Sequence, residues 1–426
     1  MSEKLTTTLL LGNCLNQMAQ LADNSVDSIV TDPPYGLSFM GKKWDYDVPS
    51  VEIWRECLRV LKPGGHLLAF AGTRTQHRMA VNIEDAGFEI RDMIAWVYGS
   101  GFPKSLNIGK AVDKLQGNER EYVETKKKLH ISTSNTNEGW KRPSHYNDDG
   151  THKTEMIVTK GATEWEGWGT ALKPALEPIT VARKPFKGTV AENVLEWGTG
   201  GINIDESRIG TDESTMITCG KALIGTFEGQ EGKISGSYSG QGRFPGNLIH
   251  DGSDEVVRLF PQNAGGAAPA SGPTYSGEYQ GNAYGVYKGN KNEPSFYNDN
   301  GCAARFFYCA KASKADRNEG LEHLPISRPD ERTETGMGSF VDKGIQPQQN
   351  HHPTVKPTAL MEYLVKLVTP PSGTVLDPFM GSGSTGKACV SAGFSFIGIE
   401  MEQEYIDIAK ARIERQKRKG IQKGLF

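Results

Sequence analysis

Thr374-Val-Leu-Asp-Pro-Phe-Met-Gly-Ser-Gly-Ser-Thr-Gly386 reads as a buried strand, a glycine turn and the start of a helix. Gly381 and Gly383 remove side chains where the backbone must turn sharply and approach another group closely. The next apolar strand ends in an acidic residue, Glu400, 19 positions after Gly381. A carboxylate at about that spacing accepts hydrogen bonds from ribose hydroxyls in Rossmann-like sheets. There is no third-glycine pattern and no Walker lysine, which argues against a dinucleotide or a nucleoside triphosphate. The string predicts a nucleoside site at the carboxyl end of a strand.

Working outward, strands are expected at Leu9–Leu11, Ser28–Thr31, Leu67–Ala71, Ile90–Val97, Thr374–Leu376 and Phe396–Ile399. Helices are expected at Val51–Leu61, Thr75–Ala86, Thr358–Val368, Ser384–Ala392 and Gln403–Lys417. This alternation predicts an α/β fold with a parallel, doubly wound sheet. Leu61-Lys-Pro-Gly-Gly65 reads as a structural helix cap and turn. Between the two alternating ends lie basic clusters (Lys126–Lys128, Lys141–Arg142) and a Gly/Tyr/Ser-rich tract, Gly265–Lys291, expected as a flexible loop.

The 426 residues exceed one typical domain, and 37% hydrophobic residues suffice for a core. No apolar run reaches the length of a membrane span, and the N-terminus lacks a signal-peptide pattern, so no membrane association is expected. Six scattered cysteines without CxxC pairs suit a reducing cytoplasm and argue against a zinc site, so no metal is expected. A net charge of −3 does not announce a nucleic-acid binder, and any such surface must come from local patches.

A second decisive string, Thr31-Asp-Pro-Pro-Tyr-Gly36, follows the strand Ser28–Val30. Its residue types suit methylation of an aromatic amine, whose lone pair is delocalised into the ring. Asp32, an acceptor-only carboxylate, takes one amine N–H and favours a pyramidal nitrogen. Pro33 and Pro34 restrict the backbone, aiming the Pro33 carbonyl at the second N–H. As positive charge grows on nitrogen, a fixed cage of acceptors stabilises it selectively in the transition state. Tyr35 supplies a stacking face for the base.

Together these strings resemble the beta class of DNA amino-methyltransferases, in which a DPPY motif precedes the cofactor glycine motif. The resemblance covers residues 7–110 and 350–415, about 40% of the chain. It implies a Rossmann-like, S-adenosylmethionine-dependent methyltransferase fold with circularly permuted motif order and an inserted recognition region. The expected parts are a catalytic half, 1–115, a target-recognition insert with flexible loops, 116–349, and a cofactor-binding half, 350–426. Residues implied around S-adenosylmethionine are Asn13 and Cys14, Thr354 and Lys356, Asp377, Phe379, Gly381, Ser382, Gly383, Thr385 and Glu400. Asn13 stands where the family has an acidic residue that contacts the cofactor adenine; Lys356 would meet the cofactor carboxylate and Asp377 its ammonium. Trp96 falls where the family stacks a flipped base, and flipping is needed because the amine is inaccessible inside a duplex.

The expected activity is therefore site-specific methylation of adenine N6 in double-stranded DNA, since Asp rather than Ser precedes Pro-Pro-Tyr. Cytosine-N4 methylation is the alternative, followed by an inactive DNA-binding homologue and an RNA methyltransferase. Candidate DNA contacts in the middle region are Trp165, Trp168, Lys173, Arg183, Lys184 and Lys187, then Arg243, Arg305 and Lys311. Further implied partners are a second copy of the chain and a cognate restriction enzyme, in a bacterial or phage-encoded cytoplasmic setting. Lys173-Pro-Ala-Leu-Glu-Pro178 recurs in related methylases, and the residues alone suggest no role for it.

Overall fold

The computed structural model describes residues 5–37, 45–101, 105–127, 155–210, 242–264, 278–281, 285–288, 301–310, 314–323, 349–352 and 354–422. The chain divides into two compact units, one from residues 1–99, 176–322 and 352–426, the other from 100–175 and 323–351.

The larger unit begins with β1 (Thr7–Leu11), α1 (Cys14–Met18), β2 (Val26–Thr31), α2 (Val51–Val60), β3 (Leu61–Phe70), α3 (Gln76–Asp85) and β4 (Glu89–Val97). The smaller unit holds α4 (Ile108–Gln116), β5 (Glu121–Lys127) and β6 (Glu155–Lys160). The larger unit resumes with β7 (Leu176–Arg183), α5 (Val190–Trp197), β8 (Leu248–His250), α6 (Asp254–Val257), β9 (Glu278–Gly281), β10 (Gly285–Lys288), β11 (Tyr308–Cys309) and α7 (Lys314–Asn318). It ends with α8 (Thr358–Val368), β12 (Thr374–Asp377), α9 (Ser384–Ala392), β13 (Ser395–Glu400) and α10 (Gln403–Gln422).

Nine strands form one sheet in the order β1-β13-β12-β2-β3-β7-β4-β8-β11. Every neighbouring pair is parallel except those of β7, which runs antiparallel to both β3 and β4. Helices cover both faces. On one side α8, α9 and α10 pack Leu364, Cys389 and Ala409 around Val30 and Val375; on the other, Met18, Trp54 and Met79 pack against Ile29 and Leu376. All six residues of β2 are buried, and its polar side chains are bonded there, Asp27 to Lys62, Ser28 to Thr369 and Thr31 to Asp377. The expected doubly wound α/β sheet is present, in permuted order.

From β12 the chain moves outward to β13, whereas from β2 it moves the opposite way to β3. The two motif-bearing strands therefore flank the topological switch point, where open α/β sheets bind ligands beyond their carboxyl ends.

Some expectations need correcting. Ile179–Ala182, read as part of a recognition insert, lies on β7 in the middle of the main sheet, where Ile179 and Ala182 are wholly buried. The expected insert 116–349 thus contributes strands to the larger unit. The Gly/Tyr/Ser-rich tract holds an antiparallel hairpin, β9 with β10; its remaining residues lie outside the described ones. So do Lys128, Lys141, Arg142 and Lys311. At Leu61-Lys-Pro-Gly-Gly65 the helix passes directly into β3, and the pairing with β2 shifts register between Val26 and Ser28.

The smaller unit is held by Arg120, whose guanidinium bonds the buried Asp113, and Glu166 at 2.9 Å. Nearby, Trp165 and Trp168 form an edge-to-face pair 5.4 Å apart, 40% and 59% exposed. Among the described residues no helix is long and apolar enough to cross a membrane.

Candidate active site

The two strings meet. β12 pairs with β2 in parallel, Val375 opposite Ser28 and Leu376 opposite Ile29, so both motif loops leave the same edge of the sheet. Thr31 Oγ1 donates to Asp377 Oδ1 at 2.7 Å, joining the last residue of each strand.

The loop after β2 is fixed by its backbone. Asp45, almost fully buried, accepts from the amides of Tyr35 (2.6 Å) and Gly36 (3.0 Å), and Thr75 Oγ1 donates to the Tyr35 carbonyl at 2.6 Å. That leaves the Asp32 and Tyr35 side chains aimed into a dense polar cluster. The Tyr35 hydroxyl lies 2.7 Å from Asp32 Oδ1 and 3.0 Å from Glu177 Oε2. The Lys356 ammonium lies 2.7 Å from Asp32 Oδ2 and 3.1 Å from both Glu177 Oε2 and the Tyr35 hydroxyl. The Tyr98 hydroxyl donates to Glu177 Oε1 at 3.1 Å. Lys356 also sits 4.9 Å from the Phe70 ring centre, a buried cation over an aromatic face.

Burial works against the Lys356 ammonium, but Asp32 and Glu177 outweigh it and hold its pKa above the ordinary lysine value. Burial, reinforced by the same two carboxylates, pushes the Tyr35 phenol well above its ordinary range. The cluster therefore pairs one firmly charged ammonium and one neutral phenol with two carboxylates, a formal charge of −1.

The turn after β12 is built differently. Gly381 (φ 53°) and Gly383 (φ 79°) are both left-handed, a region open to glycine at little cost. A Cβ on Gly381 would stand 2.7 Å from His352 Nε2, and one on Gly383 2.8 Å from Ala409 Cβ. The close approach these glycines permit is thus to the protein's own side chains. Glu400 accepts from the amides of Gly381 and Glu402, each at 2.9 Å, and burial raises its pKa. Asp377 accepts from Thr31, from Thr385 Oγ1 (2.6 Å) and from the Phe379 amide (3.1 Å); burial outweighs these donors and lifts its pKa to about 6. Beneath the turn, the fully buried Arg412 donates to the Ser382 carbonyl and hydroxyl and to the Asp316 carbonyl.

Several expected residues are thereby located. Gly12 donates its amide to the Glu400 carbonyl at 2.9 Å, bringing Asn13 and Cys14 beside that strand end. Asn13 is exposed and caps α1, its Oδ1 accepting from the Leu15 amide at 2.9 Å. The Cys14 thiol is buried in the core, and that burial pushes its pKa up to about 11. The hydroxyls of Ser382 and Thr385 turn inward to Arg412 and Asp377, while Phe379 packs edge-on against Trp54. Thr354 is exposed and Lys356 is turned toward Asp32. Trp96 is 9% exposed between Phe70 and Tyr98, and its Nε1 has no hydrogen-bond partner among the described residues.

Glu177, Tyr98, Asp45 and Arg412 did not emerge from the sequence. Only Glu177 carried a signal, as the acidic residue of the unexplained Lys173–Pro178 string. Of the candidate DNA contacts, Arg183 is paired with Glu89 at 2.7 Å, and Lys184 bonds Asn24 and the Leu61 carbonyl, both at 2.7 Å. Arg305 donates to the Cys302 and Ala264 carbonyls, and Arg243 to the Arg305 carbonyl. These four hold the fold together.

The fold is a permuted, doubly wound α/β sheet with a carboxylate-rich cluster and a glycine turn at its switch point. The DNA methylase family model matches residues 26–411, and the chain belongs to that N6/N4 family. Two curated relatives share short stretches: the Type II methyltransferase M2.DpnII of Streptococcus pneumoniae is 40% identical over 18% of this chain and 29% of its own length. The Type II methyltransferase M.ScaI of Streptomyces caespitosus is 38% identical over 16% and 23%. The matched stretch thus spans about a quarter of each relative's length. Among solved structures, the M1.HpyAVI–SAM complex aligns over 96% of this chain and 99% of that one, with 17% identity and a TM-score of 0.39. The cytosine-N4-specific PvuII DNA methyltransferase aligns over 96% and 89%, with 13% identity and a TM-score of 0.41.

Proposed function

We propose that the chain transfers a methyl group from S-adenosylmethionine to the N6 amine of a flipped adenine in double-stranded DNA. The observation that carries this reading is the junction of the two motifs: Asp32 and the Gly381–Gly383 turn leave adjacent parallel strands on one edge, tied by the Thr31–Asp377 bond.

The residues fit the donor. Glu400 uses one acceptor position on each oxygen for an amide, and a carboxylate oxygen has two, so acceptor capacity remains for ribose hydroxyls. Asn13 stands at the adjoining strand end, within the same edge. When bound, S-adenosylmethionine supplies an electrophilic methyl group on a sulfonium sulfur. The chain's own part is to orient the base and to stabilise charge. Asp32 accepts one N–H of the amine, and the Pro33 carbonyl is assigned the other. As the nitrogen becomes positive, the excess negative charge of the Asp32–Glu177–Lys356 cluster stabilises it more than it stabilises the neutral ground state. Tyr35, its hydroxyl placed between two carboxylates, presents a ring for stacking, and Trp96 is a second candidate face.

DNA contact is assigned to the smaller unit, where Trp165 and Trp168 expose aromatic faces and Lys173 adds charge. Adenine is preferred to cytosine because Asp32, not Ser, precedes the prolines. Incubating duplex DNA with the protein and methyl-labelled cofactor, then digesting to nucleosides, tests the proposal. Labelled N6-methyladenine is expected; N4-methylcytosine as the sole labelled nucleoside would overturn the choice of base, and no label in any duplex the reaction itself.

A further inference from the structure

We infer that Glu177, on the reversed strand β7, is a positioning residue for Asp32: it takes over the Lys356 ammonium and the Tyr35 hydroxyl when a base amine occupies Asp32. The inference rests on the amino-methyltransfer reading above.

The geometry sets a conflict. Asp32 must offer its oxygens to the amine, yet Oδ1 accepts from Tyr35 at 2.7 Å and Oδ2 from Lys356 at 2.7 Å. Releasing Lys356 into its surroundings is not an option, because its side chain is only 7% exposed and a buried ammonium without a counter-charge is strongly disfavoured. Glu177 removes the conflict. Its Oε2 is 3.1 Å from the same ammonium and 3.0 Å from the same hydroxyl. A tyrosine carries a single O–H proton, so the Tyr35 hydroxyl donates to only one of the two carboxylates at a time. Both groups can therefore swing from Asp32 to Glu177 by shifts of tenths of an ångström, without loss of charge pairing.

Glu177 is itself held for the task. Its other oxygen accepts from Tyr98 at 3.1 Å, and its backbone pairs with Trp96 in the β4–β7 ladder. This also gives the Lys173–Pro178 string a purpose: it delivers a carboxylate to the cluster from the start of the one antiparallel strand among the nine. Asp32 would be the catalytic residue and Glu177 the group that keeps it available.

The test is single-turnover methyl transfer to duplex DNA by the full chain, with cofactor and DNA affinities measured separately. Glu177→Gln keeps the shape but not the charge, leaving Lys356 bound to Asp32. Its transfer rate is expected to fall about 10- to 100-fold, with both affinities within about threefold. In a Lys356→Met background Asp32 is no longer occupied by the ammonium, so Glu177→Gln should then cost little or nothing. Tyr98→Phe, which removes a hydroxyl from Glu177 alone, should slow the same step by about two- to fivefold and serves if Glu177→Gln does not fold. An unchanged rate in either variant overturns the inference. So does an equal loss from Glu177→Gln in both backgrounds, or a loss that resides in cofactor affinity. If the unmodified chain methylates no duplex, the functional reading falls, and this inference with it.

Discussion

At the end of β2 the chain gathers side-chain charge, whereas at the end of β12 it gathers shaped backbone. The first gathers Asp32, Glu177, Lys356 and Tyr35 into one cluster in which the Lys356 ammonium and the Tyr35 hydroxyl each meet both carboxylates. The second holds two left-handed glycines pressed on His352 and Ala409, with Asp377 and Arg412 each bound by several fixed protein groups. A network with interchangeable partners can rearrange during a reaction; a close-packed turn can only be right or wrong. Under the proposed function, the difference predicts that rate depends on one strand end and binding with stability on the other.

The sharpest way to break that division is Asp32→Ala. With the acceptor gone the methyl-transfer rate should drop about 10³-fold, the scale seen when one preorganised polar group is removed from a transition-state cage. Cofactor affinity should stay within about threefold, since Glu177 still neutralises Lys356. Single-turnover kinetics beside calorimetric titration of the cofactor would decide. A comparable loss in both quantities would erase the distinction between the two strand ends.

Gly383→Val is the converse. It forces a β-branched residue to φ 79° and drives a Cβ to within 2.8 Å of Ala409 Cβ and 3.0 Å of its Cα. Left-handed strain and overpacking together should cost about 3–5 kcal/mol of stability. Denaturant unfolding measures this, and an unchanged midpoint would mean that the turn is not the rigid element inferred here.

The same contrast explains what the sequence could reveal. Asp32–Tyr35 and Gly381–Gly383 were legible because each is a local string at a strand end, and strand ends follow from apolar runs such as Ser28–Val30. Alternation of elements likewise disclosed the doubly wound sheet. Glu177 was not legible, because its meaning depends on β7 running antiparallel between β3 and β4, a long-range pairing no local pattern encodes. Lys356 was expected to serve a cofactor carboxylate, and its position against Asp32 depends on a contact 324 residues apart in the chain. Arg183 and Lys184 misled for a related reason: a basic residue beside a strand looks the same in sequence whether it meets DNA or, as here, Glu89 and the Leu61 carbonyl.

Asp377 sharpens the comparison through pH. Its carboxyl is lifted to about 6 from a reference of 3.8, mainly by burial. A carboxyl with a raised folded pKa contributes stability that is fully present below the unfolded value and lost as pH rises through the folded one. Relative to Asp377→Asn, the unmodified protein should therefore lose about 2–3 kcal/mol between pH 4 and about 6.5. Paired denaturant titrations across that window test it, and parallel stability curves would show that Asp377 is ionised as readily in the fold as outside it.

The smallest expected effect lies at Asn13, which stands beside the Glu400 end of β13 and belongs to neither of the two compared strand ends. Its one acceptor oxygen already takes the Leu15 amide and keeps a single further lone pair, while the side-chain NH2 has only hydrogens to offer. An aspartate caps a helix about as well as an asparagine, so Asn13→Asp should leave stability within about 0.5 kcal/mol. It would add a second oxygen, free to accept from the amine of the cofactor's adenine. Cofactor affinity should rise about threefold, a fraction of a typical hydrogen bond because the position is exposed. Calorimetric titration of the two proteins reads this directly. Equal or weaker binding by the variant, with α1 intact by circular dichroism, would place the adenine elsewhere and leave Asn13 as a cap alone.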